Sequence, residues 1–257
     1  MNKLALATLL TTLISQAAGC IIDTTDRDHG HGGGGGGSGT GVDTAAISAR
    51  WSLRNMIDGA VATCPPGFDT VQLIAQAIDS NGDPVGDQNI DLFDCNARGG
   101  VASDLAPDVY QVWIEVRSHD LQGLYAQSLS QVLDVRTDDQ TFTAEVLKDG
   151  GYFQLSWDLI GRTTNRPVAC SQVAGLDAIR AISTNITSST ISYQDAFVCD
   201  DHSAVSGGLL EGPYTISIDA LAGDKSVGRA TALTTKVIAG QNQVTDLGTI
   251  AIPIDGM

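Results

Sequence analysis

Four landmark residues, a tryptophan, two cysteines and a tyrosine, occur twice along this chain, in the same order and with almost the same spacing. The step from the tryptophan to the first cysteine is 13 residues in both copies, and the step from the second cysteine to the tyrosine is 15 in both. The copies lie 104 to 106 residues apart, which fits a duplicated domain and not the short turns of a solenoid. The duplication predicts two modules, at 46–148 and 152–254. The landmarks are Trp51, Cys64, Cys95 and Tyr110, repeated as Trp157, Cys170, Cys199 and Tyr214.

The first 20 residues have the features of an export signal. Lys3 supplies a positive start, and the apolar run from Leu4 to Ile14 is too short to cross a bilayer core of ~30 Å as a helix. The segment ends in Ala-Gly-Cys, with Cys20 last. This ending resembles the bacterial lipobox, which implies that Cys20 is acylated and becomes the mature N-terminus. The alternative is ordinary signal-peptidase cleavage near Ala17, which stands where the lipobox prefers Leu, Val or Ile.

Cysteine usage agrees with export. The chain has five cysteines and four belong to the repeat, so a lipidated Cys20 leaves no thiol over. An exported chain is oxidised, and four cysteines allow three connectivities. Duplication selects the one with a bond inside each module, which predicts the disulfides Cys64–Cys95 and Cys170–Cys199. A metal site is a poorer explanation, because the cysteines form no CxxC pair and no histidine is placed equivalently in both copies.

Residues 21–45 have the composition of a flexible tether. Six consecutive glycines, Gly32 to Gly37, lie among polar residues, and apolar side chains are almost absent until Val42. Such a stretch buries too little surface to offset the entropy of ordering it. The alternative is loose binding of a divalent metal by its acidic and imidazole side chains, which are Asp23, Asp26, Asp28, His29 and His31.

The remaining sequence is typical of antiparallel β-sheet. Val112, Ile114 and Val116 alternate with polar neighbours, which is the period of a half-buried strand. Asn81-Gly82 lies between two apolar runs and predicts a hairpin. We expect about seven strands in each module and no amphipathic helix, and therefore an all-β chain of two tandem sandwiches.

Two short motifs in the first module carry a resemblance to a known family. One is the Asn-Gly-x-Pro hairpin within Asp79–Val85, and the other is the strand entry within Leu105–Val112, of the form small/Pro-x-x-Tyr-x-Val. Together they resemble the carboxypeptidase regulatory-like (transthyretin-like) family of immunoglobulin-like sandwiches. The second module keeps the strand entry in Leu210–Ile216. Its segment Ser183 to Ser189 is shorter and lacks Gly and Pro, so we expect the hairpin to be lost there. The resemblance implies tandem transthyretin-like or Ig-like repeats.

Catalytic motifs are absent from the sequence, which contains no Gly-x-Ser-x-Gly, no His-Glu-x-x-His and no phosphate-binding glycine loop. His119 and His202 occupy unrelated positions in the two copies. The run Asp200 to Ser203 holds the residue types of a hydrolytic triad, but adjacent residues rarely converge. Asp79 to Asp83 spaces oxygen ligands as a calcium loop does, although the twelfth position is Ile90 and a tight turn explains the segment without an ion. We expect no enzyme, no cofactor and no bound metal.

Trp113 is the candidate ligand-binding residue. The tryptophans and tyrosines of the repeat recur at matched positions, which predicts that they are core residues. Trp113 instead lies on the polar face of its strand between Gln111 and Glu115, and its counterpart in the second copy is Ser217. An outward-facing indole ring stacks on sugar or peptide. The alternative is that Trp113 packs against the other module or under a loop near Tyr125.

The formal net charge of −16 argues against nucleic acid and anionic lipid as partners. We expect contact with the membrane through the N-terminal lipid. Ile21 stands where inner-membrane lipoproteins of enteric bacteria carry aspartate, which favours the outer membrane. The sequence predicts an envelope lipoprotein that acts as a structural or binding module, with an envelope protein or a glycan as partner. The alternative is a solitary carbohydrate-binding protein that uses Trp113.

Overall fold

The computed structural model describes residues 44–257, which form an all-β structure. Eighteen strands and three single-turn 3-10 helices lie in that range. No helix in this part of the chain is long and apolar enough to cross a membrane. The predicted all-β sandwich class is confirmed. The signal segment 1–20, its Cys20 and the tether up to residue 43 lie outside the described residues.

The first sandwich is built from the strands of the first half of the chain. These are β1 (Ala45–Arg54), β2 (Val61–Ala62), β3 (Thr70–Ala77), β4 (Asn89–Asp94), β5 (Gly99–Leu105), β6 (Val109–Arg117), β7 (Leu124–Gln127), β8 (Gln131–Asp134) and β9 (Gln140–Leu147). In one sheet, β1 pairs antiparallel with β2 and β5 and parallel with β9. In the other, β3 lies between β4 and β6, and β6 also pairs with β7 and β8.

The second sandwich repeats this topology. Its strands are β10 (Gly150–Gly161), β11 (Leu176–Asn185), β12 (Ser192–Val198), β13 (Ser203–Val205), β14 (Leu209–Leu210), β15 (Gly212–Ala222), β16 (Lys225–Arg229), β17 (Leu233–Ile238) and β18 (Val244–Ile254). β10 pairs antiparallel with β13 and parallel with β18, as β1 does with β5 and β9. β11 lies between β12 and β15, as β3 does between β4 and β6. One bridge, between Gly228 and Ile254, joins the two sheets at their edge.

Each sandwich has more strands than the sequence predicts. We expect about seven strands from the sandwich pattern, and the described residues contain nine in each half. The additional strands include β2 and β14, which have two residues each. A strand of two residues is too short to show the alternation of apolar and polar side chains on which the prediction depends.

Two separate clusters of buried side chains form the cores. They fall within residues 45–146 and 153–254, one in each sandwich. In β6 the predicted alternation is present, because Val112, Ile114 and Val116 are buried with none of their surface exposed. The module limits 46–148 and 152–254 remain predictions, and each cluster lies almost entirely within one of them.

The landmark residues of the repeat make the same contacts in both sandwiches. Disulfides join Cys64 to Cys95 and Cys170 to Cys199, in the pairing that the duplication predicts. The buried indole of each landmark tryptophan donates a hydrogen bond of 2.9 Å to the carbonyl of the second cysteine. Each landmark tyrosine is buried and donates its hydroxyl to the carbonyl four residues earlier, Ala106 or Leu210.

Both sandwiches keep the hairpin that leads into the edge strand, from β3 to β4 in the first and from β11 to β12 in the second. In the first, the Asp79 carboxylate accepts the backbone N–H groups of Asn81 and Asp83, and the hydrogen bond from Asp83 is the main reason that the pKa of Asp79 lies below its usual range. The expected loss of the second hairpin is wrong, since β11 and β12 pair over seven residues. There the Asn185 side chain accepts the N–H groups of Thr187 and Ser188, so an asparagine replaces the Asn-Gly signal.

Asn242 joins the two sandwiches. It lies in the β17–β18 turn, its side chain is 2% exposed, and its φ is +61°. Its Oδ1 accepts the N–H of Leu147 at 2.6 Å, and its Nδ2 donates to the carbonyl of Gln127 at 2.8 Å. One side chain of the second sandwich thus satisfies backbone groups at the ends of β9 and β7. Asparagine suits this position because it tolerates the left-handed conformation better than most residues.

We predict that Asn242→Ala destabilises the protein by about 2 to 4 kcal/mol, because it leaves the buried Leu147 N–H without an acceptor and puts alanine, which tolerates the left-handed region less well than asparagine, at a φ of +61°. Urea unfolding followed by circular dichroism measures the loss. Asn242→Gly separates the two effects, since it removes the hydrogen bonds and relieves the backbone, and it should be about 1 kcal/mol less damaging. An alanine variant within about 0.5 kcal/mol of the wild type would show that Asn242 does not hold the junction.

Candidate binding surface

Trp113 lies at the centre of the solvent-facing side of the β4-β3-β6 sheet. It stands directly opposite Ile74 on β3, which in turn stands opposite Ile90 on β4. Trp113 is half-buried and Ile90 is 48% exposed. Ile74 is only 3% exposed, although it does not belong to the core cluster between the sheets. The three side chains form an apolar row across three strands, and its outer members cover the middle one.

Further exposed aliphatic side chains extend this row. Leu92 lies two residues after Ile90 on the same side of β4 and is 53% exposed. Val132 on β8 stands opposite Gln111 and is 59% exposed. We call the five residues the outer apolar face: Ile74, Ile90, Leu92, Trp113 and Val132. Contiguous exposed apolar surface of this kind is uncommon on a monomer and marks interaction sites.

A hollow adjoins the outer apolar face at Leu92. Its volume is 340 Å³, and Phe93 and Leu121 provide the rest of its apolar lining. His119 lies at its rim, with Nδ1 3.5 Å from Oδ2 of Asp69. The hollow is large enough to admit an apolar side chain from a partner, and its rim is polar.

Three polar side chains near Trp113 bond to neighbours within the protein. Glu115 accepts from the Trp113 indole N–H at 3.3 Å and from Nε of Arg117 at 2.6 Å. Gln111 donates to the Ser130 hydroxyl at 2.9 Å, and Gln76 donates to the carbonyl of Val85, also at 2.9 Å. Glu115 thus orients the indole ring, and the amides of Gln72 and Gln127 are the polar groups on this side that make no side-chain hydrogen bond among the described residues. The face therefore presents mainly apolar surface.

The second sandwich has smaller or polar side chains at three of these strand positions, while Ile182 keeps the position of Ile74. Its equivalents of Trp113, Leu92 and Ile90 follow from the strand registers and are Ser217, Ala196 and Gln194. Asp219, at the position of Glu115, is 1% exposed and accepts hydrogen bonds from Arg180 and Arg229. Burial alone would raise the pKa of the Asp219 carboxyl, but the two arginines outweigh it and hold that pKa below its usual range.

The other sequence-predicted positions do not join this site. His202 has a φ of +57° and ends the 3-10 turn after Cys199, the position that Arg98 holds in the first sandwich. The described residues contain no group of three or more His, Cys, Asp or Glu side chains that could hold a metal ion. Among residues 44–257 no aromatic ring packs on Trp113, and the ring of Tyr125 packs instead on Phe68 with centroids 5.4 Å apart.

One repeated signal escaped the sequence analysis. Asp-x-Phe-x-Cys occurs before the second cysteine of both copies. The phenylalanines, Phe93 and Phe197, lie 5.8 and 6.0 Å from the landmark tryptophan rings. The aspartates, Asp91 and Asp195, lie on the inward side of the edge strands β4 and β12, and burial raises the pKa of Asp91. Inward-pointing charges on edge strands oppose edge-to-edge pairing.

Comparisons with known proteins find similarity only to solved structures. No protein-family model matches the sequence, and no curated protein is similar to it. A leucine-rich repeat protein from Bacteroides thetaiotaomicron is 12% identical with a TM-score of 0.35, and the match covers 83% of this chain but 26% of that one. GBS52, the minor pilin of Streptococcus agalactiae, is 10% identical over 83% of this chain and 97% of its own, with a TM-score of 0.30. The fimbrial anchor protein Mfa2 from Porphyromonas gingivalis is 11% identical over 72% and 81%, with a TM-score of 0.27.

We predict that Asp219→Asn destabilises the protein at pH 7, because it leaves the Arg180 and Arg229 guanidinium groups without their carboxylate. The carboxyl pKa is depressed in the folded state, so its contribution to stability is present above the ordinary aspartate pKa of about 3.9 and is lost as the pH falls through the folded value. The difference in unfolding free energy between wild type and variant should therefore shrink steadily below about pH 4. Urea unfolding at pH 7, 4 and 2.5 tests this, and a difference that does not change with pH would contradict it.

Proposed function

We propose that this chain is an exported bacterial cell-envelope protein, anchored by a lipid on Cys20, that binds another envelope protein through its outer apolar face. The observation that carries the proposal is the difference between the two sandwiches. One fold is built twice, and only the first copy places Trp113, Ile90 and Leu92 on its solvent-facing side.

Comparison with the second sandwich shows which side chains the fold requires on the outer side of this sheet. It forms the same sheet with Ser217, Ala196 and Gln194 at the three positions, so the fold does not need large apolar side chains there. Exposed apolar side chains gain little in a monomer, and solvent-facing positions of a strand are ordinarily polar. The apolar surface of the first sandwich therefore has a use other than folding, and binding to a partner is that use.

The chemistry of the face favours a protein partner over a glycan. Glycan binding requires free donors and acceptors for hydroxyl groups, but Glu115, Gln111 and Gln76 bond to neighbours within the protein. Protein interfaces instead combine an aromatic residue with aliphatic side chains and a pocket for an anchor residue. Trp113 and the hollow beside Leu92 supply this combination.

Anchoring through a lipid agrees with the charge and the disulfides. Two disulfides fit an oxidising compartment outside the cytoplasm. A net charge of −16 repels anionic lipid headgroups, so a covalent lipid on Cys20 is the better means of attachment. The tether 21–45 then separates the sandwiches from the membrane, and Ile21 favours the outer membrane.

We predict that the triple variant Ile90→Gln, Leu92→Ala and Trp113→Ser loses the partner. Each substitution installs the residue that the second sandwich carries, so the sheet should still form. Mild cross-linking on intact cells, followed by purification and mass spectrometry, should recover the partner at least tenfold less than with wild type.

A matched control removes exposed apolar side chains elsewhere, through Val101→Thr, Val198→Thr and Val237→Thr. All three valines are more than half exposed and lie outside the outer apolar face. Partner recovery with this control should equal that of wild type. Equal recovery with the face variant, or an equal loss with both variants, would overturn the assignment of the binding surface.

Lipidation is tested separately. We predict that Cys20→Ser abolishes incorporation of a radiolabelled fatty acid and moves the protein from the detergent phase to the aqueous phase in Triton X-114 partitioning. The Ala17 alternative predicts no fatty acid incorporation by the wild type either, so the label on the wild-type protein decides between the two forms of processing.

A further inference from the structure

Two neighbouring cavities lie where the sandwiches meet. Their volumes are 570 and 450 Å³, and both are lined by Tyr125, Gln241 and Gln243. These three residues therefore separate the two cavities. We call them together the junction cleft. The other side chains of the larger cavity come from both sandwiches and from the segment between them: Asn55, Ile57, Asp58, Lys148, Asp149 and Glu211.

Backbone hydrogen bonds fix the shape of the junction cleft. The Asp149 carboxylate accepts the N–H of Met56, which holds the β1–β2 loop against the segment between the sandwiches. The Asp149 carbonyl accepts the N–H of Glu211 at 2.9 Å, and the Lys148 carbonyl accepts the N–H of Gln241 at 3.3 Å. Asn242 bonds beneath the smaller cavity to the carbonyl of Gln127. The cleft is thus already formed, as small-molecule sites usually are.

Five polar side chains of the junction cleft make no hydrogen bond within residues 44–257, whereas Asp58, Asp149 and Asn242 are already bonded. Among the described residues, none donates or accepts a hydrogen bond with the side chains of Asn55, Lys148, Glu211, Gln241 or Gln243. Three of the five are amides, which offer both donors and acceptors, and Glu211 offers acceptors only. The cleft therefore matches a ligand whose groups both donate and accept, as hydroxyl groups do.

Tyr125 supplies an aromatic surface in the same place. Its ring packs on Phe68 and lines both cavities, so the ring is held in one orientation. Burial, together with the charges of Asp149 and Glu211, raises the pKa of its hydroxyl. An aromatic ring beside free amides and carboxylates is the combination that binds a sugar, because the ring meets the C–H face while the polar groups meet the hydroxyls.

We infer that the junction cleft binds a short stretch of neutral or amino polysaccharide, with Tyr125 as the stacking residue. Each cavity falls in the range of about 300 to 1,000 Å³ that is typical of small-ligand sites. Three carboxylates, Asp58, Asp149 and Glu211, line the larger cavity against one lysine, so the cleft disfavours acidic sugars and phosphate. This site is separate from the outer apolar face and does not depend on the proposed function.

The test is affinity gel electrophoresis of the folded protein in gels that contain dextran, xylan, laminarin or glycol chitosan. At least one of the four should retard the wild type. Tyr125→Ala should raise the apparent Kd at least tenfold. The double variant Gln241→Ala and Gln243→Ala should do the same, and it provides an independent measurement because both glutamines are exposed and their loss should not disturb folding.

Trp113→Ala is the matched aromatic control and should be retarded as strongly as the wild type. The inference is overturned if none of the four polysaccharides retards the wild type, or if both cleft variants keep the wild-type retardation. Retardation that is lost in Trp113→Ala and kept in the cleft variants would also overturn it, and would place sugar binding on the outer apolar face. The cleft variants should still recover the protein partner in the cross-linking experiment, so the two proposals can fail separately.

Discussion

Each sandwich depends on the hydrogen bond between its buried indole and the carbonyl of its second disulfide cysteine. A buried indole N–H without an acceptor costs about 1 to 3 kcal/mol, so the tryptophan must lie where a carbonyl can receive it. The disulfide holds that carbonyl at the turn that carries the chain from the β4 sheet to β5, or from β12 to β13. The bond from Trp51 or Trp157 therefore ties the strand of one sheet to the end of a strand in the other.

Because these contacts hold each sandwich from within, the outer surfaces of the sheets were free to diverge after duplication. The inner contacts are the same in both copies, down to the tyrosine hydroxyl and the phenylalanine beside the indole. On the outer side, the acidic position is kept as Glu115 or Asp219, each paired with arginine, while its surroundings are apolar in one copy and polar in the other. Comparison of the two copies thus distinguishes the residues that stabilise the fold, which are the same in both, from the surface residues that differ between them.

The sequence predicts those features of the structure that depend on residues close together in the chain or on the internal repeat. The alternation in β6 and the spacing of the landmarks predict strands, cores and disulfide partners, because each is fixed by near neighbours or by the repeat.

The sequence does not predict the second hairpin, because the Asn185 side chain replaces the expected turn residues. The role of Asn242 was also out of reach, since its side chain bonds to Leu147 and Gln127, 95 and 115 residues away. The alternation in β6 correctly predicts the side of the sheet on which Trp113 lies. Its neighbours Ile74 and Ile90 come from other strands, and the pairing of those strands with β6 is known only from the structure.

The sequence predicts both protein binding and sugar binding at Trp113, whereas we propose that the two functions belong to two different sites. An indole whose N–H is already bonded to Glu115, among aliphatic side chains, gains most by burying apolar area against another protein. A sugar gains most where donors and acceptors are still unbonded, and those lie in the junction cleft around Tyr125. Asn242 and the hydrogen bonds of Lys148 and Asp149 fix one sandwich against the other at that cleft, so contacts between the modules create a site that neither module has by itself.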